Sequence, residues 1–401
     1  MKTISLIVLT ALLIGCSLNA QKEANPEVQT LSLPAGNNSS LPFLTKDEKG
    51  RLLISWVERQ DKLTFLKFST LDLDTWSTPK MISSGDNWFV NWADYPSVAR
   101  ADNHMISHFL AKSGEGTYSY DVHLTQSNDG GENWGMDYVP HKDGTPTEHG
   151  FVTLIPYDDG FFAAWLDGRN TENSREEGGQ GAMTVRGAFI SATGEITAEA
   201  LLDNRVCDCC QTGGAITQNG PIVVYRDRSD EEVRDMSIVR YINGQWTDPK
   251  VIHRDDWKIA GCPVNGPRAS SFGSSLAVAW FSAPHQKSQV KVIFSSDNGE
   301  TFDQPISIDD TSPIGRVDVV MLDRNSAMVS WLDKGDNTAE LKAVRIFDNG
   351  QVKDVHNITT MDLSRQSGFP QMEVVDDRIF FAWTDVISDT ESRVKTAFFK
   401  Y

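Results

Sequence analysis

Leu52-Leu53-Ile54-Ser55-Trp56 is a short apolar run that closes on an aromatic residue, and its design recurs at His104–His108, Phe161–Trp165, Pro221–Tyr225, Leu276–Trp280, Ala327–Trp331 and Ile379–Trp383. The last residues of these runs stand at 56, 108, 165, 225, 280, 331 and 383, a nearly even spacing. Apolar runs this short, bounded by turn residues, read as buried strands. Each has a strand before it, across a turn containing Gly, Asn or Asp. A third strand follows: Leu63–Phe68, Tyr120–Gln126, Val185–Ile190, Ser237–Tyr241, Val290–Phe294 and Leu341–Phe347. A fourth is visible at Pro79–Ile82 and Lys250–Ile252. Four antiparallel strands in a repeat of about fifty residues make a β-propeller blade. The seventh unit stops after its third strand, Val394–Lys400, so Val28–Leu33 is expected to supply the missing strand and close the ring. Closure would remove an exposed sheet edge. The expected fold is all-β, one seven-bladed propeller over residues 28–401. A six-bladed ring is the alternative, because the His104–His108 copy is the weakest.

The rest of the composition agrees. The 401 residues are 39% hydrophobic and 23% charged, a globular balance, and 30 Gly suit many tight turns. Asp and Glu outnumber Lys and Arg by 55 to 37, a net charge of −18 that argues against a nucleic-acid partner.

The first residues read as processing. Lys2 precedes an apolar run from Ile4 to Ile14, too short to span a bilayer as a mature helix and suited to a signal peptide. It ends in Leu13-Ile14-Gly15-Cys16, which resembles the bacterial lipobox. The resemblance implies a signal peptide over residues 1–15, lipidation of Cys16 and a polar tether over 16–27. The chain is then exported and held at the cell envelope by its own lipid, as a monomer.

Two turns after third strands share a pattern. Ser127-Asn128-Asp129-Gly130-Gly131-Glu132-Asn133-Trp134 fits Ser-x-Asp-x-Gly-x-x-Trp, and Ser295-Ser296-Asp297-Asn298-Gly299-Glu300-Thr301-Phe302 fits it with Phe last. Ser and Asp side chains bond turn amides, Gly permits positive φ, and the aromatic packs between sheets. The pattern resembles the Asp-box of the sialidase (neuraminidase) superfamily and its bacterial-neuraminidase-repeat relatives, over about residues 30–401. The structural positions are Ser127, Asp129, Gly131, Trp134, Ser295, Asp297, Gly299 and Phe302. The resemblance implies a glycan substrate or ligand. Family enzymes hold a substrate carboxylate with three Arg and use a Tyr nucleophile, a Glu and an Asp acid/base. Where the family's first arginine stands in an Arg-Ile-Pro stretch, this chain has Ser40-Leu41-Pro42.

Repeat phase locates the face where a pocket would lie, because loops entering the inner strands share it with those joining second to third strands. It collects Asp94, Glu148 and Asp318 as candidate acid/base carboxylates, and Arg169, Arg226, Arg228 and Arg316 as candidate substrate-binding groups. It also collects Cys207, Cys209, Cys210 and, in Gly261-Cys262-Pro263, Cys262. Four cysteines meeting there make either disulfides or a thiolate site for Cu(I) or Zn, with His149 or His285 able to complete the shell. Three readings follow: a sialidase-like glycoside hydrolase, a non-hydrolytic glycan- or protein-binding propeller, and a cysteine-centred metal or redox site.

Overall fold

The computed structural model describes residues 27–171, 181–353 and 355–401. Residues 1–26, with the expected signal peptide, Cys16 and most of the tether, lie outside the described residues. Seven antiparallel sheets form a ring of blades. The inner strands are Ser39–Lys46, Val98–Ala101, His149–Tyr157, Gly213–Thr217, Arg268–Phe272, Gly315–Asp323 and Gln371–Val375. They surround an axial cavity of about 570 Å³, whose wall includes Thr153, Gly214, Ser270, Val320 and Val374.

The second strands are buried end to end where the apolar runs are longest, as at Gly160–Asp167 and Ser275–Ser282, because neighbouring blades cover both faces. Trp56, Trp165 and Trp280 are fully enclosed. A buried indole N–H needs an acceptor, and each finds a carboxylate: Glu58 at 2.8 Å, Asp167 at 3.0 Å and Asp255 at 2.7 Å.

Blade two has three paired strands, and its outer edge is extended by backbone hydrogen bonds between Leu124 and Tyr138. Blade seven closes as expected: Gln29–Leu31 pairs with the last strand, Glu391–Lys400, with Thr30 opposite Ala397. Thr396 anchors this seam, its hydroxyl donating to the Leu31 carbonyl and accepting the Trp76 indole N–H of blade one. The ring therefore has seven blades, not six.

The inner strands of blades one, three and six each carry a bulge near their first residues. Leu41, Phe151 and Arg316 adopt positive φ there, at 54°, 53° and 51°. A bulge re-aims side chains, and these three turn the start of each strand toward a neighbouring blade.

Candidate functional site

The residues expected on the loop face do converge, and most of their polar atoms are engaged with the next blade. Asp94, at 2% exposure, accepts the Phe151 amide at 2.7 Å and the Tyr120 hydroxyl at 3.1 Å, joining blade two to blade three. Tyr120 also reaches Glu148 Oε1 at 2.8 Å. Burial, with Glu148 nearby, pushes the Asp94 carboxyl up to about 8 despite those hydrogen bonds, so it is protonated at neutral pH. Asp318 accepts the Met372 and Val319 amides and joins blade six to blade seven. Burial raises its pKa as well. Glu148 alone of the three carboxylates is partly exposed, on a hollow of about 350 Å³ that Tyr118 and Thr171 also line.

The arginines divide in the same way. Arg226 is 2% exposed, and its guanidinium donates to the carbonyls of Arg234 at 2.8 Å, Asn265 at 2.8 Å and Phe281 at 2.6 Å. Arg316 donates to Ser367 Oγ and the Gly368 carbonyl and lies over the Trp92 ring. These two arginines fasten blades together through their guanidinium groups. Arg169 pairs with Asp167 and Glu199, and Arg228 with Asp208 and Glu232. Both keep some exposure. Across the axis, Gln211 donates to the Ala93 carbonyl at 2.6 Å and accepts the Gly266 amide, while Arg268 reaches Tyr95 and Gln371. This layer of side chains spans the axis on the loop face.

The cysteines differ. Cys207–Cys210 lie in the loop between the outer strand of blade three, Ile196–Val206, and the inner strand of blade four. The sulfurs of Cys207, Cys209 and Cys210 are all within 4.8 Å of one another. Cys207 Sγ and Cys210 Sγ are 3.4 Å apart, and Cys262, 53 residues beyond Cys209, lies beside Cys209 but outside that group of three. None is bonded in a disulfide. Arg234 Nη1 donates to Cys207 Sγ at 3.1 Å. Hydrogen bonds from Cys209 and Cys210, with the Arg226 charge, hold the Cys207 thiol well below its ordinary range, whereas burial pushes Cys210 up to about 12. Sulfurs this close, beside a guanidinium that favours the thiolate form of Cys207, make a soft donor set. Cys207 and Cys210 are buried, while Cys262 is exposed.

Neither histidine expected to complete this shell does so. His285 is exposed on a loop, and His149 stands with Asp121, Asp143 and Asp167. Arg234 and Tyr120 are absent from the residues picked out in the sequence. Each opens or lies just ahead of a third strand on the loop face, so repeat phase carries the signal for both.

The two Ser-x-Asp turns are alike and follow third strands. Ser127 Oγ donates to Asp129 and accepts the Gly131 amide, and Ser295 Oγ does the same with Asp297 and Gly299. Trp134 packs edge-on to Phe68 of blade one, and Phe302 packs against the core between blades four and five.

No protein-family model matches the sequence, and no curated protein matches it. Solved structures do match in fold. The chain is similar to an α-L-arabinanase from Penicillium chrysogenum complexed with arabinobiose (TM-score 0.50, 11% identity, 94% of this chain and 99% of that one). It is similar to an α-L-arabinofuranosidase from Fusarium graminearum complexed with an iminosugar inhibitor (TM-score 0.50, 11% identity, 93% and 97%). It also resembles the endosialidase of phage phi92 (TM-score 0.50, 10% identity, 94% and 69%). At these identities the likeness is one of architecture, a propeller shared with glycan-acting enzymes.

Proposed function

We propose that this propeller carries a thiolate site for a soft metal ion, Cu(I) or Zn(II), with Cys207, Cys209 and Cys210 as ligands and Cys262 as the exposed fourth. The observation that supports it is the convergence of the sulfurs without a disulfide, beside the Arg234 guanidinium. Thiolates select soft or borderline ions. Four sulfur donors with no histidine favour a closed, binding role over an open Lewis-acid centre. Export and acylation of Cys16 belong to the same reading, with the propeller displayed at the envelope as a lipid-anchored monomer. Protein purified without chelator and under reducing conditions should hold one sulfur-bound metal ion per chain, absent when the four cysteines are changed to Ser, and four titratable thiols after its removal. Metal-free protein with no free thiols would replace the metal site with two disulfides.

A second reading takes the loop face as glycan-facing, binding or hydrolysing an exposed sugar. It is favoured by Glu148, partly exposed and held by Tyr120, with the protonated Asp94 behind it. The fold it shares with glycan-acting enzymes agrees. Hydrolysis of aryl sialosides or arabinosides by the wild type, lost in Glu148→Gln, would establish it. Equal activity in the two proteins would remove Glu148 from the reaction.

A further inference from the structure

Between blades two and three, apart from the cysteines, buried nitrogens and oxygens are left without hydrogen-bond partners. The imidazoles of His141 and His149 stack with ring centres 3.8 Å apart. His149 is fully buried and His141 is 5% exposed. His141 Nδ1 lies 3.1 Å from Asp143 Oδ2. A carboxylate there holds the proton on Nδ1 and leaves Nε2 as the lone-pair nitrogen. That Nε2 makes no hydrogen bond, and neither do His149 Nδ1, His149 Nε2 or Asp121 Oδ1. Unsatisfied polar atoms this deep are uncommon in a native core.

Their spacing has a pattern. Asp121 Oδ1 stands 3.3 Å from His149 Nδ1 and 3.9 Å from His141 Nε2, poorly aimed for hydrogen bonding. Ligands held about 2.1 Å from a tetrahedral zinc are roughly 3.4 Å from one another. On its far side, His149 Nε2 faces Asp143 Oδ1 at 3.4 Å and Asp167 Oδ1 at 3.7 Å. Asp167 is itself fixed by Arg169 and Trp165. Carboxylates behind metal-ligating imidazoles are the usual means of setting their orientation.

We propose that His141 Nε2, His149 Nδ1 and an Asp121 carboxylate oxygen bind one divalent transition-metal ion of the Zn(II) type, with Asp143 and Asp167 orienting the imidazoles from behind. Loading requires the stacked rings to turn so that both lone pairs meet at one ion. The turn breaks no hydrogen bond at His141 Nε2 or His149 Nδ1, and it must keep the His141 Nδ1 bond to Asp143. Two imidazoles and one carboxylate leave a fourth position for water or a small oxygen ligand. Asp121, with its side chain 22% exposed, marks the way in from solvent. The ion would join the third strand of blade two to the inner strand of blade three. It is independent of the cysteine site.

Co(II) tests this, because its spectrum separates the two donor sets. A variant with Cys207, Cys209, Cys210 and Cys262 all changed to Ser should still take up one Co(II), with visible ligand-field absorption and no sulfur-to-cobalt charge-transfer band. Asp143→Ala should weaken binding about 10–100-fold, and His149→Gln should abolish it. A folded four-serine variant that binds no Co(II) would overturn the proposal and leave a buried imidazolium among carboxylates. If that variant does not fold, His149→Gln in the wild-type background decides. Loss of one bound Co(II) per chain, with a fall in visible absorption and the charge-transfer band unchanged, supports the histidine site, and an unchanged stoichiometry and spectrum refute it. A charge-transfer band missing from wild type would count against the cysteine reading alone.

Discussion

Two stretches of the loop face occupy the same repeat position and end differently. Around blades six, seven, two and three, Arg316, Asp318 and Asp94 are buried, and their polar atoms meet backbone groups of the next blade. Between blades four and five, the cysteine sulfurs meet mainly one another and one guanidinium. Equal phase thus brings groups to the axis without giving them equal roles. What separates the stretches is whether coordination is already filled by the protein. Fastened groups hold the ring together, and unfilled ones can take a ligand.

The largest expected effect tests the fastened side. Asp94 has its carboxyl raised from 3.8 to about 8, so the folded state holds a proton that the unfolded chain releases. Its stabilising contribution is full below pH 3.8 and is lost as pH rises toward 8. The loss runs at about 1.4 kcal/mol per pH unit. Asp94→Asn cannot ionise and should flatten that part of the stability–pH curve, read by urea unfolding at several pH values. An unchanged slope would mean that Asp94 is ionised in the fold.

Arg226 comes next. Arg226→Met would leave the Arg234, Asn265 and Phe281 carbonyls without their donor inside the core. The expected cost is on the order of 3–5 kcal/mol, with the urea midpoint reporting it. A midpoint within error of wild type would show that Arg226 is not a fastener and restore it as a candidate for ligand binding. Ser295→Ala is a smaller test, on a part of the ring away from the axis. It orphans the Gly299 amide, buried behind the turn, and should cost about 1–2 kcal/mol.

The ring is legible in the sequence for a physical reason. Each second strand is covered on both sides, so every blade repeats one apolar run, and the run closes on a residue whose burial fixes the phase. The missing fourth strand of blade seven and the orphan segment at Val28–Leu33 explain each other. The four cysteines are legible as a set by the same phase. The roles of Asp94, Asp318, Arg226 and Arg316 are not, because nothing in a one-dimensional pattern marks a carboxylate that will meet the Phe151 amide of another blade. His141 is not legible either. It lies in the link between blades two and three, outside the repeat, where phase makes no prediction.

The smallest expected effect on stability carries the largest consequence for the cysteine site. Cys262 is exposed, with Cys209 its nearest sulfur neighbour and Cys207, Asp208 and Arg234 close by. Surface substitutions of that kind usually change stability by less than about 0.5 kcal/mol, so Cys262→Ser should melt within a degree or two of wild type. Cys210→Ser, deep in the same cluster, should be costlier because burial there favours the neutral thiol over a more polar hydroxyl. Metal retention should run the other way from stability. Removing Cys262 takes away the fourth sulfur, so chelator competition should strip the ion from Cys262→Ser at least about tenfold more readily, while the fold is intact. If Cys262→Ser instead kept the ion as firmly as wild type, the site would be a three-sulfur one, closed by Cys207, Cys209 and Cys210 alone. If it lost the ion and also unfolded, Cys262 would belong with the fasteners, and the contrast between the two stretches of the face would fail.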